Sequence, residues 1–157
     1  AIALCDEAKE GDEILVAANF NAPGQTVLSG SIEACERVAS LANDRGVRAT
    51  PLSVAGAFHS PFMQQAADGM RGALAQAALS DLVIPVWSNV TAKAHVNGEI
   101  ADRLVDQITG SVRWSEQCTA MTKEYDGAWH ELGPGSVLRG LMRRIDRLVK
   151  VQSHDEP

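Results

Sequence analysis

One histidine of this chain stands where its ring could take part in proton transfer. His59 ends the apolar run Val54-Ala55-Gly56-Ala57-Phe58 and is followed by Ser60 and Pro61. Ser60 can cap a helix and Pro61 suits a first helical position, so the ring is expected beside a helix N-terminus. The positive end of that helix disfavours a second proton on the imidazole, and a neutral imidazole can act as a general base. Histidines before helices are also common as surface residues or caps.

A histidine base needs a hydroxyl or thiol to deprotonate, and this chain offers no evident one. It contains no Gly-x-Ser-x-Gly motif. The serines that stand out lie in predicted turns or caps, where local hydrogen bonds account for them. These are Ser29, Ser60, Ser111 and Ser136.

Composition excludes several classes of function. A formal net charge of -6 over 157 residues argues against a non-specific nucleic-acid binder, which needs a basic face. No apolar run approaches the ~20 residues that cross a bilayer, so no membrane role is expected. The odd, widely spaced Cys5, Cys35 and Cys118 indicate buried free thiols in a reducing, cytoplasmic setting without a metal site. The other histidines show no ligand spacing; they are His95, His130 and His154.

The first 54 residues predict a small mixed unit. The turn Asn21-Ala22-Pro23-Gly24 separates two strands, and Ser31 and Gly46 bracket a helix as its cap and its terminating glycine. One strand upstream would complete a split βαβ, ferredoxin-like unit. The predicted order is a helix at 2–10, strands at 14–20 and 25–28, a helix at 31–44 and a strand at 47–54.

The remaining residues predict an α/β layer with parallel strands. The helix after His59 presents one apolar face, and Ser136 follows Gly133-Pro134-Gly135 as the cap of a last helix ending near 144. Because Ala1 opens on a helix already under way, we expect the chain to be part of a longer one. The predicted elements are helices at 61–78, 99–109 and 115–124, a buried strand at 82–87, a strand at 128–132 and a frayed tail at 152–157.

Five segments, in this order, resemble the malonyl-CoA:acyl carrier protein transacylase family. They are Asn19 to Gly30 around the hairpin, Gly56-Ala57-Phe58-His59, Pro85-Val86-Trp87-Ser88-Asn89-Val90, Gln107 to Trp114, and Glu131-Leu132-Gly133-Pro134-Gly135 with Val137-Leu138. The resemblance implies an α/β fold in two parts. Residues 1–54 would form most of a ferredoxin-like small subdomain without its first strand. Residues 55–157 would form the C-terminal part of an α/β-hydrolase-like acyltransferase subdomain.

The resemblance also implies a reaction. The family moves malonyl from coenzyme A to the thiol of an acyl carrier protein, in a ping-pong mechanism through a serine ester. His59 matches the histidine that serves the serine, and Gln107 matches the residue whose main-chain carbonyl accepts a hydrogen bond from that ring. The family's serine, and an arginine for the malonyl carboxylate, lie upstream and have no match here. The chain alone is therefore predicted to be inactive.

Further residues gain a possible role from the resemblance. An aromatic residue at Phe58 goes with malonyl selectivity in related domains, since a ring leaves little room for an α-methyl branch; core packing is the alternative. Asn21, with Gln25, borders the cleft in the family, although turn chemistry also explains it. Ser111 stands where the family often has proline, which predicts a looser loop. Candidate contacts for an acidic carrier protein, or simply solvated charges, are Arg48, Arg143 and Arg144.

The resemblance implies no cofactor, since the coenzyme A thioester is a substrate. The implied partners are malonyl-CoA and an acyl carrier protein, and the intact protein is expected to be a monomer. A fragment of a polyketide synthase acyltransferase domain and a non-catalytic carrier-protein-binding module remain alternatives. A stand-alone ferredoxin-like regulatory domain is disfavoured by the family match of residues 55–157.

Overall fold

A computed structural model describes residues 1–154 as a mixture of helices and small sheets. The first part of the chain contains α1 (Ile2–Ala8), β1 (Leu15–Ala22), β2 (Gln25–Gly30) and α2 (Ile32–Asp44). A 3₁₀ turn (Pro61–Met63), α3 (Gln64–Leu74), β3 (Trp87–Ser88), β4 (Lys93–Ala94) and α4 (Ile100–Thr109) follow. The last elements are α5 (Trp114–Glu124), β5 (Trp129–Leu132), α6 (Val137–Ile145) and β6 (Val151–His154).

The predicted hairpin is present and longer than expected. Strands β1 and β2 pair antiparallel from Leu15 opposite Gly30 to Ala22 opposite Gln25. Only Pro23 and Gly24 lie between the strands, and Gly24 has a φ of +72°. Proline followed by a left-handed glycine suits a tight turn, because proline fixes its own φ and glycine carries no Cβ to clash.

Helix α2 begins and ends as its sequence predicts. The Ser31 side chain accepts a hydrogen bond from the Ala34 amide at 3.2 Å. At the other end Gly46 has a φ of +70°, and the Val47 amide donates to the Ala42 carbonyl, which is a Schellman-type ending. Helices α1 and α2 pack on the hairpin around a buried cluster of Cys5, Ala8, Leu15, Ala34 and Val38.

The strand predicted at 47–54 is wrong. Residues 47–54 form no regular structure and are largely exposed, with the Val54 side chain 62% exposed. Because a strand depends on hydrogen bonds to a neighbour, an apolar alternation with no described neighbour does not become one. The ferredoxin-like order therefore stops at helix α2 in the part of the chain that the structure describes.

The segment 61–87 also differs from expectation. The helix begins with a 3₁₀ turn and ends at Leu74 rather than 78, and of its predicted apolar face only Ala67 is fully buried. The buried strand predicted at 82–87 is reduced to Trp87–Ser88, paired with Lys93–Ala94. Val83 is 96% exposed. A strand buried in a parallel sheet needs elements on both faces. Residues 83–86 are instead exposed.

The C-terminal elements largely follow the predictions. Helices α4 and α5 and strand β5 lie where expected, and β5 pairs parallel with β6. Residues 151–154 therefore form a strand rather than a frayed tail, while residues 155–157 of that prediction lie outside the described part. A parallel bridge between Asn19 and Val112 joins the hairpin to the loop after α4. Within residues 1–154, no helix combines the length and apolarity needed to cross a bilayer.

Candidate active site

The turn that carries His59 is fixed by the serine that follows it. The Ser60 hydroxyl donates to the Ala57 carbonyl at 2.6 Å and accepts from the Phe62 amide at 3.3 Å. Ser60 is fully buried, so these bonds satisfy a hydroxyl that water does not reach. The predicted cap is confirmed, and it begins the 3₁₀ turn with Pro61 in its first position. His59 itself adopts a left-handed φ of +57°.

The half-buried ring of His59 is held by a main-chain oxygen. Its Nδ1 lies 2.9 Å from the carbonyl oxygen of Gln107. A carbonyl can only accept, so the hydrogen bond requires the proton on Nδ1. In a neutral ring this leaves Nε2 with a free lone pair, which is the state a proton acceptor needs.

The Gln107 carbonyl is available because helix α4 ends there. The last carbonyls of a helix have no partner within it, and α4 ends at Thr109. The Gln107 side-chain Nε2 donates to the Gly110 carbonyl at 3.3 Å and lies 3.4 Å from the His59 Nδ1. Gly110 is needed at this point, because a Cβ there would lie 2.7 Å from the Asp106 carbonyl oxygen.

Both sides of the His59–Gln107 contact are tied to the β1–β2 hairpin. The Ser29 hydroxyl of β2 donates to the Phe58 carbonyl at 2.8 Å. The Ser111 hydroxyl donates to the Ala17 carbonyl of β1 at 2.7 Å. The local hydrogen bonds predicted for Ser29 and Ser111 are therefore wrong, since each bond crosses between distant segments. The loop at Ser111 is also anchored, contrary to the looser loop that the missing proline predicts.

Phe58 and Asn21 occupy different surroundings. Phe58 precedes His59, and its side chain is 46% exposed in this chain. Asn21 is half-buried in β1, one residue before the hairpin's last pair. Among residues 1–154, the hydrogen bonds of the His59 ring run to Gln107 and none joins it to Asn21.

Arg144 is a structural tie rather than a free surface charge. Its guanidinium donates to the Pro23 carbonyl at 2.8 Å and to the Gln25 side-chain oxygen at 2.5 Å. The end of helix α6 is thereby joined to the hairpin turn. Arg48 and Arg143 are exposed, as a solvated face would have them.

Glu131 is the residue that sequence reasoning missed. The predicted cap Ser136 makes no side-chain cap bond. Instead the buried Glu131 carboxylate accepts from the Leu138 and Arg139 amides at 2.7 and 3.1 Å, and from the Ser153 hydroxyl at 2.9 Å. Burial alone would raise the pKa of this carboxyl, but the hydrogen bonds hold the pKa below its ordinary value. The signal in the sequence is a carboxylate near the end of a strand, two residues before a Gly-Pro-Gly loop that leads into a helix.

The cysteines and the remaining histidines form no metal centre in the described part. All three thiols are free; Cys5 and Cys118 are buried, while Cys35 is only half-buried. Burial raises the pKa of the Cys118 thiol to about 11. His130 and His154, to which the sequence assigns nothing, meet with Nδ1 and Nε2 2.9 Å apart. Residues 1–154 contain no group of three or more His, Cys, Asp or Glu side chains suited to a metal.

Known proteins place this chain in one family. The chain belongs to the acyl transferase domain family, whose model matches residues 2–148. More particularly, it is 34% identical over 156 residues to the malonyl CoA-acyl carrier protein transacylase of Bacillus subtilis (strain 168), covering 98% of this chain and 49% of that protein. The family expected from the sequence is thus confirmed, together with its mixed α/β class.

Solved structures agree. The malonyl-CoA:acyl carrier protein transacylase of Xanthomonas oryzae pv. oryzae superposes with a TM-score of 0.93 at 35% identity, over 99% of this chain and 50% of that one. A malonyl-transacylase in complex with a type II PKS acyl-carrier protein gives a TM-score of 0.94 at 34% identity, over 99% and 51%. The chain therefore spans about half the length of the relatives it matches.

Proposed function

We propose that this chain is the histidine-bearing part of an enzyme that transfers malonyl from coenzyme A to an acyl carrier protein. The observation that carries the proposal is the 2.9 Å contact between His59 Nδ1 and the Gln107 carbonyl oxygen. An oriented imidazole of this kind is what a hydroxyl nucleophile needs as its base. Membership of the acyl transferase family and the names of its relatives give the chemical class.

In the proposed mechanism His59 works through Nε2. A serine hydroxyl from a segment outside these residues gives its proton to Nε2 as its oxygen attacks the malonyl thioester carbonyl. The ring then returns that proton to the departing coenzyme A sulfur, leaving a malonyl-serine ester. In the second half His59 takes the proton of the carrier-protein thiol, which attacks the ester, and the serine oxygen recovers a proton from the ring. The Gln107 carbonyl holds the ring in one tautomer throughout.

We also propose roles for Phe58 and Asn21, and a setting for the enzyme. Phe58 lies beside the reacting acyl group and limits its size, and Asn21 contributes to the same cleft from the hairpin. The enzyme uses no cofactor, works as a monomer and resides in the cytoplasm, in keeping with its free thiols. Residues 1–54 belong to a ferredoxin-like small subdomain in which 47–54 form no strand, and residues 55–157 belong to the larger acyltransferase subdomain.

We further propose that these residues alone do not catalyse the transfer, since no Gly-x-Ser-x-Gly nucleophile motif is present. Transfer of radiolabelled malonyl from malonyl-CoA to a carrier protein tests this. We expect no transfer with the chain alone. We expect transfer when it is joined to the portion of the Bacillus subtilis relative that it does not match. Turnover by the chain alone would contradict the inactivity.

The role of His59 is tested in that joined protein. Replacing a general base removes a factor of roughly 10²–10⁴ in rate, so His59→Ala should reduce transfer by that much. His130→Ala, on an exposed ring outside the proposed site, is the matched control and should leave the rate unchanged. Equal rates for His59→Ala and the unchanged protein would refute the proposed base.

A second candidate keeps the chemistry and changes the pathway. The neighbour in complex with a type II PKS acyl-carrier protein is as similar to this chain as the other relatives are. Comparing transfer to fatty-acid and polyketide carrier proteins separates the two pathways. Titration of a labelled carrier protein against the chain tests for a non-catalytic binding module. Such a module binds the carrier protein by itself, whereas an inert part of the enzyme does not.

A further inference from the structure

We infer that Ser29 and Ser111 are positioning residues, which fasten the two sides of the His59–Gln107 contact to the β1–β2 hairpin. The importance of that contact for catalysis rests on the proposed function, whereas the fastening itself is a geometric relationship within this chain. Each bond joins segments far apart in sequence: Ser29 with Phe58, and Ser111 with Ala17.

The first fastening acts on the backbone of His59. The Ser29 hydroxyl holds the Phe58 carbonyl at 2.8 Å, and that carbonyl belongs to the peptide plane from which the φ of His59 is measured. His59 has a φ of +57°, a conformation that a side chain with a Cβ avoids unless its surroundings impose it. The Ser29 bond is therefore placed to keep the ring pointing towards Gln107.

The second fastening acts on the acceptor. Ser111 lies four residues after Gln107, and its hydroxyl donates to the Ala17 carbonyl at 2.7 Å. Next to it the Val112 amide donates to the Ala18 carbonyl, and the Phe20 amide donates to the Val112 carbonyl, both at 2.8 Å. The end of helix α4 is thus pinned to strand β1, and the Gln107 carbonyl is pinned with it.

The two hydrogen bonds, from Ser29 and to Ala17, involve neighbouring positions on the hairpin. Ser29 lies opposite Val16, the residue before Ala17. The hairpin is tightly packed at this end, because a Cβ on Gly30 would lie 2.4 Å from the Ile14 carbonyl oxygen. Neighbouring register positions of one hairpin are therefore hydrogen-bonded to the segment that carries the imidazole and to the segment that carries its acceptor.

The test is nuclear magnetic resonance of the His59 ring in the 157-residue chain, with ¹⁵N-labelled histidine. The unchanged chain should give a slowly exchanging Nδ1–H signal. Ser29→Ala and Ser111→Ala should each lose that protected signal and shift the ring towards the Nε2–H tautomer. Ser111→Thr, which keeps the hydroxyl, should restore it. Thr119→Ala is the control, because it removes a 2.7 Å hydroxyl-to-carbonyl bond to Ser115 in another helix.

Several outcomes would overturn the inference. An unchanged Nδ1–H signal in both alanine variants would do so, as would its absence from the unchanged chain. If the Ser111 alanine variant does not fold, Ser111→Val is compared with Ser111→Thr, since the two side chains match in shape and differ in the hydroxyl. A valine variant that unfolds where the threonine variant folds would assign the hydroxyl to the fold and refute its positioning role.

The outcome for the inference is distinguishable from that for the proposed function. The ring signal is measured without any turnover, so it reports the fastening even if malonyl transfer is never observed. In the joined protein, Ser111→Ala should lower kcat and alter its pH profile while leaving KM unchanged. Transfer that is lost in His59→Ala but unaffected in both serine variants would uphold the function and contradict the inference.

Discussion

The Nδ1 of His59 lies 2.9 Å from the main-chain oxygen of Gln107, although 48 positions separate the two residues in the chain. The acceptor belongs to the backbone, so its position depends on where helix α4 ends and on how the following loop is held. In a Ser-His-Asp triad a carboxylate orients the ring. Here a neutral carbonyl does so and brings no negative charge beside the imidazole.

A main-chain acceptor survives changes of the side chain that carries it. Gln107→Leu keeps the carbonyl and removes only the weak side-chain contacts to Gly110 and the ring, at 3.3 and 3.4 Å. One such hydrogen bond contributes about 0.5–1.5 kcal/mol, so malonyl transfer should fall by no more than about tenfold. Steady-state kinetics of the joined protein measures this. A loss as large as that of His59→Ala would show that the amide side chain, and not the carbonyl, orients the ring.

The exposed ring of Phe58 predicts a change in selectivity with little change in stability. Phe58→Ser should admit acyl groups with an α-methyl branch, and discrimination of one methyl group amounts to ~1–3 kcal/mol. The ratio of kcat/KM for malonyl-CoA and methylmalonyl-CoA measures the effect. Phe62→Ser, at a side chain 51% exposed in the 3₁₀ turn, is the control and should leave the ratio unaltered. A kcat/KM ratio in Phe58→Ser equal to that of the unchanged protein would exclude Phe58 from acyl selection.

Arg144 should contribute to stability through the hairpin turn. Arg144→Ala removes the hydrogen bonds to the Pro23 carbonyl and to Gln25, and the exposure of the guanidinium limits the loss to about 1 kcal/mol. Urea unfolding of the 157-residue chain measures it. Arg143→Ala changes the neighbouring exposed arginine and should fall within experimental error of the unchanged chain. Equal effects of the two variants would remove the special role of Arg144.

Glu131 should make stability depend on acid pH. Because the pKa of its carboxyl is lower in the folded chain than in the unfolded one, the stabilisation is complete above the ordinary carboxyl pKa. It is lost as the pH falls through the lowered pKa of the folded chain. Glu131→Gln should therefore reduce the melting temperature at neutral pH, and the difference should shrink in acid.

The control for this prediction is Glu124→Gln, at an exposed position at the end of helix α5. Thermal unfolding followed by circular dichroism at a series of pH values compares the variants with the unchanged chain. A melting-temperature difference for Glu131→Gln that stays constant down to strongly acidic pH would contradict the capping role of the ionised carboxylate.

The thiols should differ in reactivity. Burial raises the pKa of Cys118 to about 11, which lowers its thiolate fraction at neutral pH on the order of 100-fold relative to an ordinary thiol. Cys35 is only half-buried and should react first with N-ethylmaleimide. Mass spectrometry of a labelling time course gives the order. Labelling of Cys118 ahead of Cys35 in the folded chain would contradict the structure.

Local chemistry was sufficient to predict some elements. Helix α2 follows from a capping serine, an apolar face and a terminating glycine, all within one stretch of chain. The hairpin follows from Pro23-Gly24 between two β-rich runs. These signals act over a few residues, and distant parts of the chain do not override them.

Elements that depend on distant partners were not predictable in the same way. The apolar runs at 47–54 and 82–86 resemble strands, but a strand requires a neighbour, and the sequence does not say whether one is present. The sequence predicts Ser136 as the cap of helix α6, whereas the Glu131 carboxylate accepts from the first amides of that helix across the loop. At the site, the family resemblance predicts the pairing of His59 with Gln107. No local signal predicts the hydrogen bonds that Ser29 and Ser111 make to residues far away in the sequence.

The left-handed backbone of His59 affects any attempt to select more stable variants of this protein. At a φ of +57° glycine or asparagine is more at ease than histidine. A library sorted only for heat resistance or expression would therefore tend to discard the imidazole. Selection for stability and selection for catalysis therefore favour different residues at this one position.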